Sequence, residues 1–436
     1  MTRVLVLSAE PTGERMAGPA IRAFELARAL AARCEVTLAA PGPDSRAPEG
    51  VVRLRAGLGD YGALLQAART HDVLVVQELP AQLVRHVRAT PARLVADLYN
   101  PRPMEVLEAV RDLPPARRRR AQRIVTLSSL ALLASADLIV CASDVQRDLW
   151  LGAMAAADLL DLEAYRADPS LRSLIEVVPF GLPDAPPPPG GPAAAPRRRL
   201  LWAGGVWNWL DPGTVMAAAD RLADLDVELV FMGVGRPTSE PLDAMSGTEE
   251  VLARAAAHPR ITVNRGWVPY EQRAGWLTSA TLGVCAHREH LEARFSFRTR
   301  LLDHFWAGTP VVTSRGDALG ELVSREGLGA AVAPGDAEGF AAACRGLLED
   351  PGALRAARDR VAARAPGLRW SAAAAPLVAW CDGAPQRPRR RVDPLRLAAL
   401  TARQYPHLAP EVVARQGAAE VARKTGRLVR RAVLRR

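Results

Sequence analysis

The most constraining stretch of the chain is 291–313, LEARFSFRTRLLDHFWAGTPVV followed by Thr313. Leu301, Leu302, Phe305 and Trp306 recur at helical spacing, Ala307-Gly308-Thr309-Pro310 stops the helix, and Val311 and Val312 begin an apolar strand. Helix, tight turn and buried parallel strand make up one unit of an open α/β sheet, in which helix N-termini and strand C-termini face a ligand crevice. Arg294, Ser296, Arg298 and Arg300 crowd the start of this helix. Guanidinium forks and unpaired amides meet the positive end of the dipole there, so an anion is expected.

The same alternation runs through the chain. Val4–Leu7 reads as a strand, Ser8–Pro19 as a loop, Ala20–Ala32 as a helix and Val36–Ala39 as the next strand. Asp72–Gln77, Leu94–Leu98 and Ala136–Ser143 continue the set, with Ser143 as an N-cap, and Val177–Gly181 closes the first domain. A Pro/Gly/Ala-rich stretch without periodicity follows. The second domain restarts with Arg199–Ala203 running into Gly204-Gly205, then Asp211 as N-cap with Pro212 at the first helical position. Val227–Met232, Ile261–Val263 and Thr281–Ala286 are further strands. The fold class is α/β, two Rossmann-like doubly wound domains facing a cleft, divided as 1–183, a linker 184–196, 197–384 and a basic helical tail 385–436.

With 436 residues the chain is long enough for two cores. Its 57 Lys and Arg against 47 Asp and Glu suggest a nucleic-acid or membrane partner until they are located. Residues 387–436 hold 14 basic and 3 acidic side chains, which leaves 43 and 44 for the rest, so the body is nearly neutral. A nucleic-acid partner is not expected, because the basic residues are segregated and aromatic residues are not interleaved with them. Lys424 is the only lysine. The 5 cysteines are scattered and lack CxxC spacing, which reads as free thiols in a reducing cytoplasm and not as disulfides or a zinc site. No stretch has the ~18 apolar residues of a membrane span, so the chain reads as cytoplasmic, with any membrane contact made from the surface. His287-Arg288-Glu289-His290 lacks HExxH spacing and reads as a solvated loop.

Asp303 followed by His-Phe-Trp-Ala-Gly-Thr-Pro-Val-Val resembles the donor-site helix of retaining glycosyltransferases of family 4, which have the GT-B fold. The family motif carries two glutamates separated by seven residues. The second falls on Asp303 and the first on Phe295, which has no acceptor oxygen. Met16-Ala-Gly-Pro-Ala-Ile-Arg22 resembles the loop that opens the family's first domain. Val178-Pro-Phe-Gly181 is similar to its Val-Pro-Asn-Gly turn, and Arg265-Gly-Trp-Val-Pro-Tyr-Glu271 to the segment whose backbone reads the nucleotide base. Trp370–Trp380 resembles the terminal helix that crosses back to the first domain. The resemblance covers roughly residues 3–382.

It implies a nucleoside diphosphate sugar as donor substrate, a glycan or lipid-linked acceptor, no resident cofactor and no metal. The family's usual Arg/Lys clamp after the first strand of the second domain is absent from Val206-Trp207-Asn208-Trp209, so Arg298 and Arg300 are the candidates for the diphosphate, with Arg294 in reserve. Asp303 is the candidate acceptor for ribose hydroxyls, and Glu292 stands near the missing glutamate. Gly204, Gly205, Trp267, Val268, Phe295 and Ser296 complete the donor side, and Gly18, Arg22 and Asp97 the acceptor side. Each has an ordinary alternative: Arg300 and Asp303 as a surface ion pair, the glycines as plain turns, Trp207 and Trp209 as packing ahead of base stacking, and Asp97 as a helix cap.

The implied activity is retaining sugar transfer in surface polysaccharide biosynthesis or glycolipid assembly. A natural-product glycosyltransferase, a GT-B sugar-nucleotide epimerase and a non-catalytic sugar-nucleotide-binding protein remain alternatives. In the tail, Arg387–Arg391 is a basic run and 411–436 reads as a helix in which apolar positions are surrounded by Arg423, Lys424, Arg427, Arg430, Arg431, Arg435 and Arg436. It reads either as a helix packed on the protein or a solvated end, or as an interfacial helix at an anionic bilayer, a peripheral membrane placement. Pro406 and Pro410 argue against one continuous helix.

Overall fold

A computed structural model describes residues 1–188, 197–234, 246–386 and 388–416. The first sheet contains β1 (Arg3–Leu7), β2 (Glu35–Ala40), β3 (Val52–Arg55), β4 (Val73–Val76), β5 (Arg93–Asp97), β6 (Leu138–Cys141) and β7 (Ile175–Val177), in the order β3-β2-β1-β4-β5-β6-β7. The second contains β8 (Arg198–Trp202), β9 (Val227–Phe231), β10 (Ile261–Val263), β11 (Leu282–Cys285), β12 (Val311–Ser314) and β13 (Gly329–Val332), in the order β10-β9-β8-β11-β12-β13. Among the described residues every pairing within the two sheets is parallel. Continuous apolar runs such as Val73-Leu-Val-Val76 fit this arrangement, because parallel strands are covered on both faces.

Each sheet reverses direction of growth once. In the first, β1 lies between β2 and β4, and in the second β8 lies between β9 and β11. The loops leaving those central strands open at a switch point, where the flanking connections diverge and leave a crevice. Ser8–Ala17 follows β1 and Ala203–Leu210 follows β8. The switch points of the two domains face one another across the cleft.

The connection between the domains is double. Leu182 forms a parallel bridge with Arg369, its N–H donating to the Leu368 carbonyl and its own carbonyl accepting from Trp370 N–H. A Cβ on Gly181 would stand 2.7 Å from the Trp370 Cα, so only glycine admits that approach. Beyond it, helices Trp370–Ala373 and Ala375–Asp382 pack on the first-domain helix Gly18–Leu30.

The C-terminal segment differs from the sequence reading. Helix Pro394–Gln416 runs through Pro406 and Pro410 and lies on helices Ala81–Arg88 and Pro115–Ser135 of the first domain. Leu397 and Leu400 are buried there, and Gln404 accepts from Ala81 N–H while donating to Ile124 O and Ser128 Oγ. The basic run is a clamp: Arg389 donates to Thr90 O and Ala92 O, and Arg390 donates through its backbone N–H to Asp137 and through its guanidinium to Leu133 O and Leu159 O. Residues 417–436, which carry the interfacial-helix reading, lie outside the described residues. Among the described residues no helix is long and apolar enough to cross a membrane.

Candidate functional site

The crevice between the switch points encloses about 190 Å³ and is lined from the first domain by Glu10, Gly18, Tyr99, Asn100 and Glu105. The second domain supplies Trp207, Trp209, Glu292, Ser296, Arg298 and Arg300. Its basic side is built by two short helices, Leu291–Phe295 and Arg300–Trp306, joined by an extended corner at Ser296. His290 caps the first by accepting from Ala293 N–H, and its other ring nitrogen bonds the Trp209 carbonyl. Trp209 is thereby fixed, with its ring stacked on Trp207 at 6.1 Å and 28°.

Arg298 and Arg300 stand in different electrostatic states. Arg298 is buried and paired through both terminal nitrogens with Glu292, at 3.1 and 2.6 Å. Its charge is cancelled before any ligand arrives, although its buried Nε–H meets no acceptor. Arg300 has no carboxylate partner among the described residues. It donates to the Gly205 carbonyl at 3.1 Å and lies 5.2 Å from the Trp202 ring centroid. Burial, the largest cause, and repulsion by Arg298 both pull Arg300 below the ordinary guanidinium range. A cation poised in this way gains most from an incoming anion.

Two of the amides expected to be unpaired at the helix start are already bonded. Leu301 N–H donates to Arg298 O and Leu302 N–H to Thr299 O, so the anion-attracting feature is the guanidinium. Arg294 sits one helix earlier, 5.8 Å from the Phe295 ring centroid.

Asp303 does not line the crevice. It accepts from Arg273 Nε at 3.2 Å, and the Arg273 guanidinium lies 3.5 Å from the Tyr270 ring centroid and 4.8 Å from that of Trp306. Burial raises the Asp303 carboxyl above its usual range against the opposing pull of Arg273. The Tyr270 hydroxyl donates to Glu25 of the first domain at 2.8 Å, and Tyr270 N–H donates to Glu14 O. Asp303 is therefore the inner end of an interdomain chain. Phe295 belongs to a second bridge, its carbonyl accepting from Gln146 at 2.8 Å. Of the remaining donor candidates Ser296 lines the crevice, whereas Gly204, Gly205, Trp267 and Val268 are not part of its lining. Gly204 takes φ +92° with open space where a Cβ would stand, Ser296 bonds Ala293 O, and Val268 packs over Leu201 and Val230 beside the half-buried Trp267.

On the acceptor side Gly18 lines the crevice, but Arg22 does not. Arg22 is fully buried, paired with Asp97 through Nε and Nη2, and donates to Val178 O and Pro179 O. Tyr99 and Trp370 flank its guanidinium at 4.6 and 6.0 Å, and the Phe180 ring packs tilted against Trp370 with centroids 4.8 Å apart. This hub ties the returning helices to the first domain. Asp97 holds Arg22 and also borders a larger neighbouring cavity.

In the 287–290 loop Arg288 and Glu289 are exposed as expected, but the histidines are not. His287 is buried with its Nε2 3.2 Å from Asp317, which caps helix Ala318–Glu326. His304 packs against β11 so closely that a Cβ on Gly283 would stand 2.4 Å from its ring, and burial depresses its imidazole to about 3. It is neutral and structural. Sequence reasoning missed Glu10, Asn100 and Glu105; their signal is position, just beyond the ends of β1 and β5.

Residues 197–350 match the family described as Glycosyl transferases group 1. No curated protein sequence matches the chain. Among solved structures, HepE of Anabaena in complex with UDP-glucose superposes with a TM-score of 0.61 at 14% identity, covering 87% of this chain and 98% of the other. Sucrose-phosphate synthase from Thermosynechococcus elongatus gives 0.58 at 18% identity, covering 86% and 97%. WaaG, a glycosyltransferase involved in lipopolysaccharide biosynthesis, gives 0.57 at 14%, covering 86% and 99%. The chain thus has the two-domain GT-B architecture of these structures, and its second domain, over residues 197–350, is similar to Glycosyl transferases group 1.

Proposed function

We propose that the protein transfers a sugar, with retention, from a nucleoside diphosphate sugar held mainly on the second domain to an acceptor held by the first. The observation that carries this reading is Arg300, a cation without a directly bonded carboxylate among the described residues, lining the crevice at the switch point of β8. As the sugar–phosphate bond breaks, negative charge grows on the departing diphosphate. A fixed guanidinium in a partly desolvated cleft stabilises that charge more than water does. The open backbone at Gly204 leaves room for the phosphates, and Trp267 and Val268 border the place for the base. The binding of UDP-glucose by HepE supports this class of donor.

The crevice is smaller than the ~300–1,000 Å³ common for drug-sized ligands, so a whole donor needs the domains to part. The Tyr270–Glu25 and Gln146–Phe295 bridges are the contacts to be released. Opening also frees Asp303 to exchange Arg273 for ribose hydroxyls. Glu292 lines the crevice where Phe295 does not, and a donor sugar hydroxyl would have to share its oxygens with Arg298. No divalent metal is assigned a role, since Arg300 supplies the countercharge. The lipopolysaccharide role of WaaG supports placing the reaction in surface polysaccharide or glycolipid assembly.

Calorimetric titration with UDP, GDP and ADP, followed by NMR of products formed from the matching nucleotide sugars in the presence of EDTA, tests the reading. Micromolar binding of at least one diphosphate and an axial-to-axial or equatorial-to-equatorial product are expected. Failure of all three to bind, or an inverted anomeric centre, refutes it.

A further inference from the structure

Behind the crevice the first domain holds a second cavity of about 800 Å³. One wall is hydrocarbon. Leu58, Val106, Val110, Leu113, Ile124 and Val125 line it, most of them from helices Arg102–Ala109 and Pro115–Ser135 and the turn between them. The charged part of the lining is mostly acidic, with Glu10, Asp60, Glu78 and Glu105, beside the neutral Gln77, Tyr99 and Asn100. Arg102 is the one basic residue of the lining among the described residues, and it is ion-paired with Glu78. Asp97 also borders the space, but its charge is met by Arg22 from behind.

The cavity and the crevice have six lining residues in common, Glu10, Pro19, Tyr99, Asn100, Glu105 and Trp209. A molecule whose body fills the cavity therefore presents one end to the place of transfer. Trp209 fixes that junction, because its carbonyl is held by His290 and its ring by Trp207. Glu105 is also set in place, accepting from Asn100 Nδ2 at 2.8 Å.

The two parts of the lining select on different grounds. The hydrocarbon wall rewards an apolar body, since each carbon seated there leaves water. The acidic rim accepts hydrogen bonds from hydroxyl or ammonium groups and repels an anion, and repulsion between like charges is larger in an enclosed, low-dielectric space than in bulk water. A phosphate-bearing headgroup would find in the cavity no basic side chain other than the one already paired, and of the crevice arginines beyond the junction Arg298 is taken by Glu292 and Arg300 is the one assigned to the donor diphosphate.

We propose that the acceptor is an amphipathic small molecule with an alkyl or ring body and a hydroxylated, uncharged or amine-bearing end, and that the cavity disfavours acceptors carrying a phosphate at that end. The proposal rests on the reading that the first domain holds the acceptor, and it narrows the acceptor's class.

Chain-matched probes test it on the full-length protein at pH 7.5 and below their micellar concentrations: n-octylamine, n-octanol and n-octyl phosphate, with UDP titrated into the same samples. Octylamine and octanol are expected to bind, and octyl phosphate at least tenfold more weakly than octylamine. Glu105→Gln should narrow that ratio at least threefold, and Val110→Trp, which fills the hydrocarbon wall, should remove octanol binding. Octyl phosphate binding as tightly as octylamine overturns the proposal, and so does octanol binding that survives Val110→Trp. If Val110→Trp does not fold, the Glu105→Gln ratio decides alone. UDP binding without any probe binding refutes the cavity assignment. Probe discrimination without UDP binding refutes the donor reading and leaves the cavity assignment standing.

Discussion

Replacing Arg300 and Arg298 separately with methionine tests the central electrostatic distinction, because the two arginines stand two residues apart and line the same crevice. Arg300→Met removes a cation that no carboxylate contacts directly among the described residues, Asp303 acting on it only at a distance. A charged hydrogen bond contributes ~1.5–3 kcal/mol, so losing one contact to a diphosphate weakens UDP binding roughly 10- to 150-fold at 1.4 kcal/mol per decade. Stability should change little, since the side chain is half-buried and holds only the Gly205 carbonyl. Arg298→Met instead strands Glu292, whose side chain is 4% exposed and keeps only His290 at 3.6 Å. Breaking a buried pair costs ~3–5 kcal/mol. For a domain of this size that lowers Tm by roughly 6–20 °C. Calorimetry with UDP and thermal denaturation of both variants read the two effects independently. Unchanged UDP affinity in Arg300→Met refutes the assignment of the diphosphate, and an unchanged Tm in Arg298→Met refutes the structural part given to its ion pair.

Three further outcomes follow from the geometry. Asp303→Asn keeps the fold but weakens its bond to Arg273, and should raise the donor KM with kcat less affected; a kinetically silent variant removes the ribose role. His304 has an ordinary value of 6.5 and is held at about 3 in the fold, so below pH 6.5 the unfolded chain takes up a proton that the native state refuses. Stability present above pH 6.5 is then lost at up to about 1.4 kcal/mol per pH unit as pH falls towards 3, and His304→Met should flatten that slope in denaturant titrations at stepped pH. Ending the chain after Gln416 should leave Tm unchanged while abolishing sedimentation with anionic liposomes at low salt, whereas ending it after Gln386 uncovers the seats of Leu397 and Leu400 and costs ~3–6 kcal/mol. Full-length protein that ignores such liposomes ends the membrane reading.

The strands legible in the sequence were those buried on both faces, such as Val73–Val76 and Leu138–Cys141, where an apolar run has no helical alternative of the same length. β3, Val-Arg-Leu-Arg, was not legible because it is an edge strand with exposed arginines. Charge was the least transparent property. Arg389 and Arg390 look like a solvated run until Asp137 and the carbonyls around it, more than 200 residues earlier, are brought beside them. Arg22 follows a loop that suggests the cleft, yet its partners arrive from β5, from the turn after β7 and from Trp370, none of them local. The difference between Arg298 and Arg300 depends on how the chain bends at Ser296, which no spacing rule contains. The C-terminal helix passes two prolines because burial against the first domain offsets the ~3 kcal/mol that an interior proline costs.

The return of Pro394–Gln416 to the first domain also sets an order of events during synthesis. The last strand of the first sheet ends at Val177, and the helix that covers Ala81–Arg88 and Pro115–Ser135 begins at Pro394, so 216 residues are made between them. At about 5–20 residues per second the ribosome takes roughly 10–40 s over that interval. Throughout it the seats of Leu397, Leu400 and Gln404 stand open, and Asp137 waits for the Arg390 amide. The half of the protein that is born first is thus finished last, and until release it offers nascent-chain chaperones an apolar face that the mature enzyme never shows.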